Sequence, residues 1–132
     1  MIGLDTNVLI RYIVQDDPRQ ARAATRLIEG RCSAEDPGFI SHIVLCEFVW
    51  VLSSAYRYAK PEVIGVLEQL LRVAQLRVEN PQILWRTLED FRRHRADFSD
   101  HLIGRLHAAQ GCERTVTFDR LAADAEGFEL LR

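Results

Sequence analysis

Met1-Ile2-Gly3-Leu4-Asp5-Thr6-Asn7-Val8-Leu9-Ile10 opens the chain. An apolar run meets short polar side chains that favour helix starts, and apolar residues resume at once. This spacing predicts a buried strand through Leu4, a turn at Asp5 and a helix beginning beyond it. Pro18 suits a first helical turn, with Ala21, Ala24 and Ile28 following at helical spacing until Gly30. Arg31 to Pro37 reads as a loop, Gly38-Phe39-Ile40 as a short strand, and Ile43 to Tyr56 as a helix buried on most sides.

The same grammar continues. Pro61 opens a helix carrying Ile64, Leu67, Leu70 and Leu71, and Leu76 to Glu79 alternates as a strand. Helices follow over Gln82 to Arg93 and Asp100 to Gln110, the second ending at Gly111. Thr115 to Phe118 is β-branched and aromatic, Asp119 ends it, and a short helix over Leu121 to Ala125 precedes a last strand at Phe128 to Leu131. Short strands alternating with helices imply a parallel sheet with helices on both faces, because parallel strands need crossover connections. The carboxyl ends of such strands share one edge, where ligand sites gather.

The chain has 132 residues, 48% of them hydrophobic and 27% charged. That fits one domain over residues 1–132, able to bury roughly two-thirds of its unfolded surface without a disulfide or metal staple. A net charge of -2 argues against coating nucleic acid through bulk positive charge. Of the 17 basic residues only Lys60 is lysine; arginine's flat fork is the better grip on phosphate. Cys32, Cys46 and Cys112 form neither a CxxC pair nor a zinc ladder, and read as buried free thiols in a reducing compartment. No basic-then-apolar leader precedes the first strand, and the apolar stretch Ile43 to Leu52 is short and broken by Glu47, so a cytoplasmic protein with no membrane span is expected.

Five carboxylates carry the chemistry. Asp5 and Asp119 each end a strand; either could merely cap the next helix, but capping does not require the same group at two strand ends of one edge. Glu47 lies in a dense apolar segment, where an unpaired carboxylate is costly; an arginine partner and a shared cation are equally good solutions. Asp97 and Asp100 stand three apart at a helix start, where a capping box accounts for one of them. Asp100 is favoured for direct function, with Asp97 in support. Acids converging on one edge repel one another unless a cation intervenes, and hard oxygen donors suit Mg²⁺ or Mn²⁺ better than zinc. Such ions activate water and neutralise a phosphodiester under attack, so phosphate-ester hydrolysis is the expected chemistry.

Four stretches carry a family resemblance: MIGLDTNVLI at residues 1–10, ISHIVLCEFVWVL around Glu47, ADFSDHLI around Asp100 and TVTFDR around Asp119. Together they resemble the motifs of PIN-domain ribonucleases, most closely the VapC toxins of bacterial toxin-antitoxin pairs. The resemblance implies a three-layer α/β/α sandwich with a mainly parallel central sheet. It also implies Mg²⁺- or Mn²⁺-dependent endonucleolytic cleavage of RNA, a cognate VapB-type antitoxin and a homodimer. Asp5, Glu47, Asp100 and Asp119 match the acidic quartet that holds the metal, and Asp97 an additional acid beside it. Asn7, Ser41 and Thr117 match polar positions that orient acids or waters.

His101 and Gly104-Arg105 depart from the usual pattern, which has a small residue after the third acid and an alanine-rich helix. A lone, partly exposed His101 could approach the leaving group or the RNA, but such a histidine is more often inert. Arg11, Arg95, Arg105 and Arg120, close to the motifs in sequence, are rim candidates for phosphate binding. Val49, Trp50, Val51 and Leu67 could serve interfaces or the core equally. Two rivals remain: a phosphatase-type hydrolase of the haloacid dehalogenase kind, which wants a second Asp where Asn7 stands, and a binding module of the same fold without catalysis.

Overall fold

The computed structural model describes residues 1–132. Its strands alternate with helices and every strand pair is parallel, the α/β arrangement that the hydrophobic pattern implies. The chain divides into two units, Met1–Pro81 and Gln82–Arg132.

In the first unit, β1 (Ile2–Gly3), β2 (Gly38–Ile40) and β3 (Leu76–Val78) pair in the order β1-β2-β3. Ile2 lies opposite Gly38, which lies opposite Leu76. Gly38 is required by this crowding, since a Cβ there would stand 2.8 Å from Leu4 Cδ1. Because the three strands run the same way, Asp5, Ser41 and Glu79 all follow carboxyl ends on one edge.

Around this sheet come α1 (Thr6–Val14), α2 (Pro18–Thr25), α3 (His42–Ser54) and α4 (Lys60–Arg72). Each start has a local cause. Asp17 accepts a hydrogen bond from the Gln20 N–H ahead of a first-turn Pro18, and Ser41 Oγ accepts one from the Val44 N–H. At α4, Glu62 reaches back to accept from the Ala59 N–H. The chain leaves α2 through a wider turn, η1 (Arg26–Arg31), closed by the Cys32 N–H donating to the Leu27 carbonyl at 3.0 Å.

Leu9, Ile28, Ile40, Leu45, Phe48, Leu52 and Leu67 of this unit are fully buried. At about 1.5–3 kcal/mol per large apolar side chain, they outweigh any surface contact. Arg11, a rim candidate in the sequence reading, is committed to structure instead. Its guanidinium donates to Asp16 at 3.0 Å, to Gln20 at 2.7 Å and to the Tyr56 hydroxyl at 3.3 Å, while that hydroxyl donates to Asp16 at 2.8 Å. Asp16's carboxyl is held below the usual range, chiefly by the Tyr56 hydroxyl and also by Arg11.

The second unit contains α5 (Pro81–Arg93, whose first residue belongs to the first unit), α6 (Phe98–Ala109), β4 (Thr115–Thr117), α7 (Arg120–Ala123) and β5 (Phe128–Leu130). β4 and β5 pair in parallel, with Thr115 opposite Phe128. A left-handed Gly127, φ +85°, makes the turn into β5, a conformation that costs glycine least. Buried Ile83, Leu84, Thr87, Leu88 and Phe91 lie on one stripe of α5, and the Thr87 hydroxyl donates to the Ile83 carbonyl at 2.8 Å.

Gly104 and Arg105 of α6 have packing reasons. A Cβ at 104 would stand 2.5 Å from Phe128 Cε2, so the bare helix face admits that ring. Arg105 makes a two-pronged pair with Asp90, Nη2 to Oδ1 at 2.8 Å, and is thereby spent as an RNA-rim candidate. Two other expectations are corrected. His101 is buried, with its ring near Phe91 and His94, because its helix position faces inward rather than toward solvent. Of the cysteines, all free, only Cys32 is buried; Cys46 is half-buried and Cys112 exposed. Val49 and Leu67 belong to the core and Val51 is half-buried, leaving Trp50 as the exposed member of that group.

Candidate active site

Within the first unit, Asp5 occupies the N-cap of α1 in extended conformation, and its Oδ1 accepts from the Thr6 N–H at 2.8 Å. The Thr6 hydroxyl in turn donates to Glu47 Oε1 at 2.7 Å. Thr6 therefore joins an acid at the end of β1 to an acid on α3, across 41 positions of sequence. Glu47 is exposed, on the same face of α3 as the exposed Ile43 and Trp50. The buried, costly carboxylate expected from the apolar segment is thus corrected. α3 turns Phe48, Val49 and Leu52 inward and leaves Glu47 at the surface, where a hydroxyl rather than an arginine is its partner.

Two further side chains set this end of α3. Ser41 caps the helix as already described. Glu79, just beyond β3, accepts from the His42 N–H at 2.9 Å and lies 3.7 Å from His42 Nδ1. An acceptor at a helix N-terminus complements its partial positive charge, so Glu79 helps to fix the helix that presents Glu47. Asn7 lines a recess between α1 and α2 with Arg11 and Gln20.

Within the second unit, Asp97 holds the N-cap of α6 without a side-chain capping bond, so the full capping box expected there is absent. Asp100 is half-buried in the first turn of that helix. Desolvation raises its proton affinity above the ordinary carboxyl range, a hydrogen bond from the Asp97 backbone opposes this, and the charges of Asp97 and Asp119 raise it further. Asp119 caps α7, its Oδ1 accepting from Leu121 N–H at 2.9 Å and Ala122 N–H at 3.4 Å. Thr117 Oγ1 accepts from the Asp119 N–H at 3.0 Å and so orients that acid's backbone.

Within neither unit do three or more His, Cys, Asp or Glu side chains stand together as a ready-made metal cage. The donor chemistry nevertheless fits a hard divalent cation. Asp100 carries the unfavourable charge of two neighbouring carboxylates, which a cation would relieve. Asp5 and Asp119 both place their capping bonds on Oδ1.

The model of the PIN domain family matches residues 2–127, through both units and all five acids. The chain belongs to the PIN domain family. PIN domains are generally metal-dependent nucleases. No curated protein matches the chain. None of its helices is long and apolar enough to cross a membrane.

Thr6 and Glu79 are the residues that sequence reasoning did not single out. Thr6 stands beside Asp5 in the first motif, but its bond reaches a residue 41 positions away, and local spacing holds no trace of that. Glu79 looked like a strand end and nothing more.

Proposed function

We propose that this PIN domain, acting as one domain over residues 1–132, is a divalent-cation-dependent endoribonuclease and the toxin of a VapBC-type pair. In this reading it works in the cytoplasm, is neutralised by a VapB-type antitoxin and forms a homodimer. The observation that carries the catalytic part is the half-buried carboxyl of Asp100 in the first turn of α6, desolvated and within electrostatic reach of the Asp97 and Asp119 carboxylates, a grouping that a hard cation would relieve. The toxin part is supported by the four motifs quoted above and by the family match.

Asp5, Glu47, Asp100 and Asp119 are each required as ligands, and Asp97 supports Asp100. A bound Mg²⁺ or Mn²⁺ would supply charge neutralisation at the phosphodiester and lower the proton affinity of a water. The chain's own residues hold the acids in place: Thr6 fixes one oxygen of Glu47, Thr117 the backbone of Asp119, and Ser41 the start of α3. No step is assigned to a histidine base: a metal-activated water requires none, and His101, next to Asp100, is buried. Arg95 and Arg120, both exposed, remain the rim candidates for the RNA backbone.

Purified protein is expected to cleave RNA with Mg²⁺ or Mn²⁺, to stop when EDTA is added in excess and to resume on Mn²⁺ addition. Cleavage indifferent to the chelator refutes the proposal. Thr6→Val should lower the cleavage rate about 10–100-fold, the usual cost of removing a partner that orients a ligand, with Thr6→Ser close to wild type. Equal rates for Val and wild type would remove Thr6 from the site. Growth arrest on expression, relieved by co-expression of a cognate VapB-type antitoxin, tests the toxin role; expression without effect on growth counts against it.

A further inference from the structure

β4 ends at Thr117, and the next side chain, Phe118, is 77% exposed. A single exposed apolar residue is ordinary, but this one has specific company. Phe118, Arg120, Leu130, Leu131 and Arg132 line one recess of about 460 Å³. Arg92, Arg105 and Arg114 of the same unit are tied to carboxylates, whereas Arg120 and Arg132 are in no such pair. The recess therefore offers an aromatic face and two uncommitted guanidinium groups, with Phe118 and Arg120 on either side of Asp119 in sequence.

The root of the ring is held on both sides. The Leu131 N–H donates to the Thr117 carbonyl at 2.7 Å, and Asp119 is tied to Thr117 before it and to Leu121 after it. The ring thus stands in solvent on a braced backbone, which reduces the entropy lost on binding a flat partner. Aromatic rings flanked by cations bind unpaired bases by stacking, while the cations hold the adjoining phosphates. The sum charge of the chain is -2, so phosphate attraction has to come from such local groups.

We propose that Phe118 is a stacking platform for one unpaired base of a single-stranded RNA, with Arg120 and Arg132 gripping its phosphates beside Asp119. The inference rests on the ribonuclease reading and adds to it the residue that positions an unpaired base of the substrate. A protein surface would also cover an apolar ring; the two uncommitted cations favour the polyanion.

The test uses the full chain with Asp100→Asn to block cleavage and a single-stranded oligoribonucleotide carrying 2-aminopurine, whose fluorescence falls on stacking. Adding Phe118→Leu is expected to weaken binding about tenfold or more and to abolish the quenching. Phe118→Trp should keep both, and a duplex of the same sequence should bind equally with Phe or Leu at 118. Unchanged affinity and quenching with Leu overturn the proposal, as does a duplex that depends equally on residue 118. If Phe118→Leu changes the oligomeric state but not oligonucleotide binding, the ring seats a protein and the proposal falls. Wild-type chain incubated with the same oligonucleotide separates the two readings. Absence of cleavage there defeats the ribonuclease assignment alone, and cleavage with a KM untouched by Phe118→Leu defeats the stacking platform alone.

Discussion

Asp100→Asn protein is expected to lose RNA cleavage by at least about a hundredfold, while melting at a higher temperature than wild type at pH 7 without added metal. The first effect follows from removing a ligand charge worth several kcal/mol in the transition state, each 1.36 kcal/mol being tenfold in rate. The second follows from burial and like charge. Asp100's carboxyl binds its proton more tightly in the folded chain than an ordinary aspartate does, chiefly through desolvation and then through Asp97 and Asp119.

A raised carboxyl pKa means that ionised Asp100 costs stability. That cost is present in full above the raised value and fades as pH falls through it. It is gone below the unfolded carboxyl range near about 3.9. Thermal melts of EDTA-treated protein across this range should therefore show the Asn variant's advantage at pH 7 and its disappearance in acid. A variant that cleaves like wild type, or that melts lower at pH 7, removes Asp100 from the role assigned to it.

Phe48→Ala should be the most damaging single change in the first unit, costing about 3–5 kcal/mol. Phe48 is fully buried on α3, which packs against α1 and α4, so truncation leaves a cavity rather than a surface gap. Against a typical total of about 5–15 kcal/mol, such a loss is a large part of the chain's stability. It also touches function, because Phe48 follows Glu47 directly on the same helix. Guanidinium unfolding followed by circular dichroism reads the effect, and a loss below about 1 kcal/mol would mean that α3 is less tightly packed than its burial indicates. Glu47→Gln, one residue away but exposed, should leave the unfolding midpoint nearly unchanged while removing cleavage.

Much of the fold was legible without coordinates because its signals are local. An apolar run followed by Asp5-Thr6-Asn7 states strand end, cap and helix start within a few residues, and Thr115 to Asp119 repeats the pattern. Pro18 acts through its fixed φ and Gly127 through its freedom to take a positive φ, and neither needs a neighbour. The acids at strand ends were visible for the same reason, since Asp5 and Asp119 each follow a strand and cap the next helix; the single edge expected for both is not what forms, because β1 belongs to the three-stranded sheet and β4 to the two-stranded one.

What only the tertiary structure decided is the facing and pairing of side chains. α3 is apolar nearly all round, so its sequence could not say that Glu47, Ile43 and Trp50 share the exposed face; neighbouring helices chose which residues to cover. His101 looked accessible by type and is buried by position. Arg11 and Arg105 looked free and are held by Tyr56 and Asp90, at separations of 45 and 15 residues. Secondary structure is written in interactions a few residues long, whereas burial and partner choice belong to contacts that exist only once distant segments have packed.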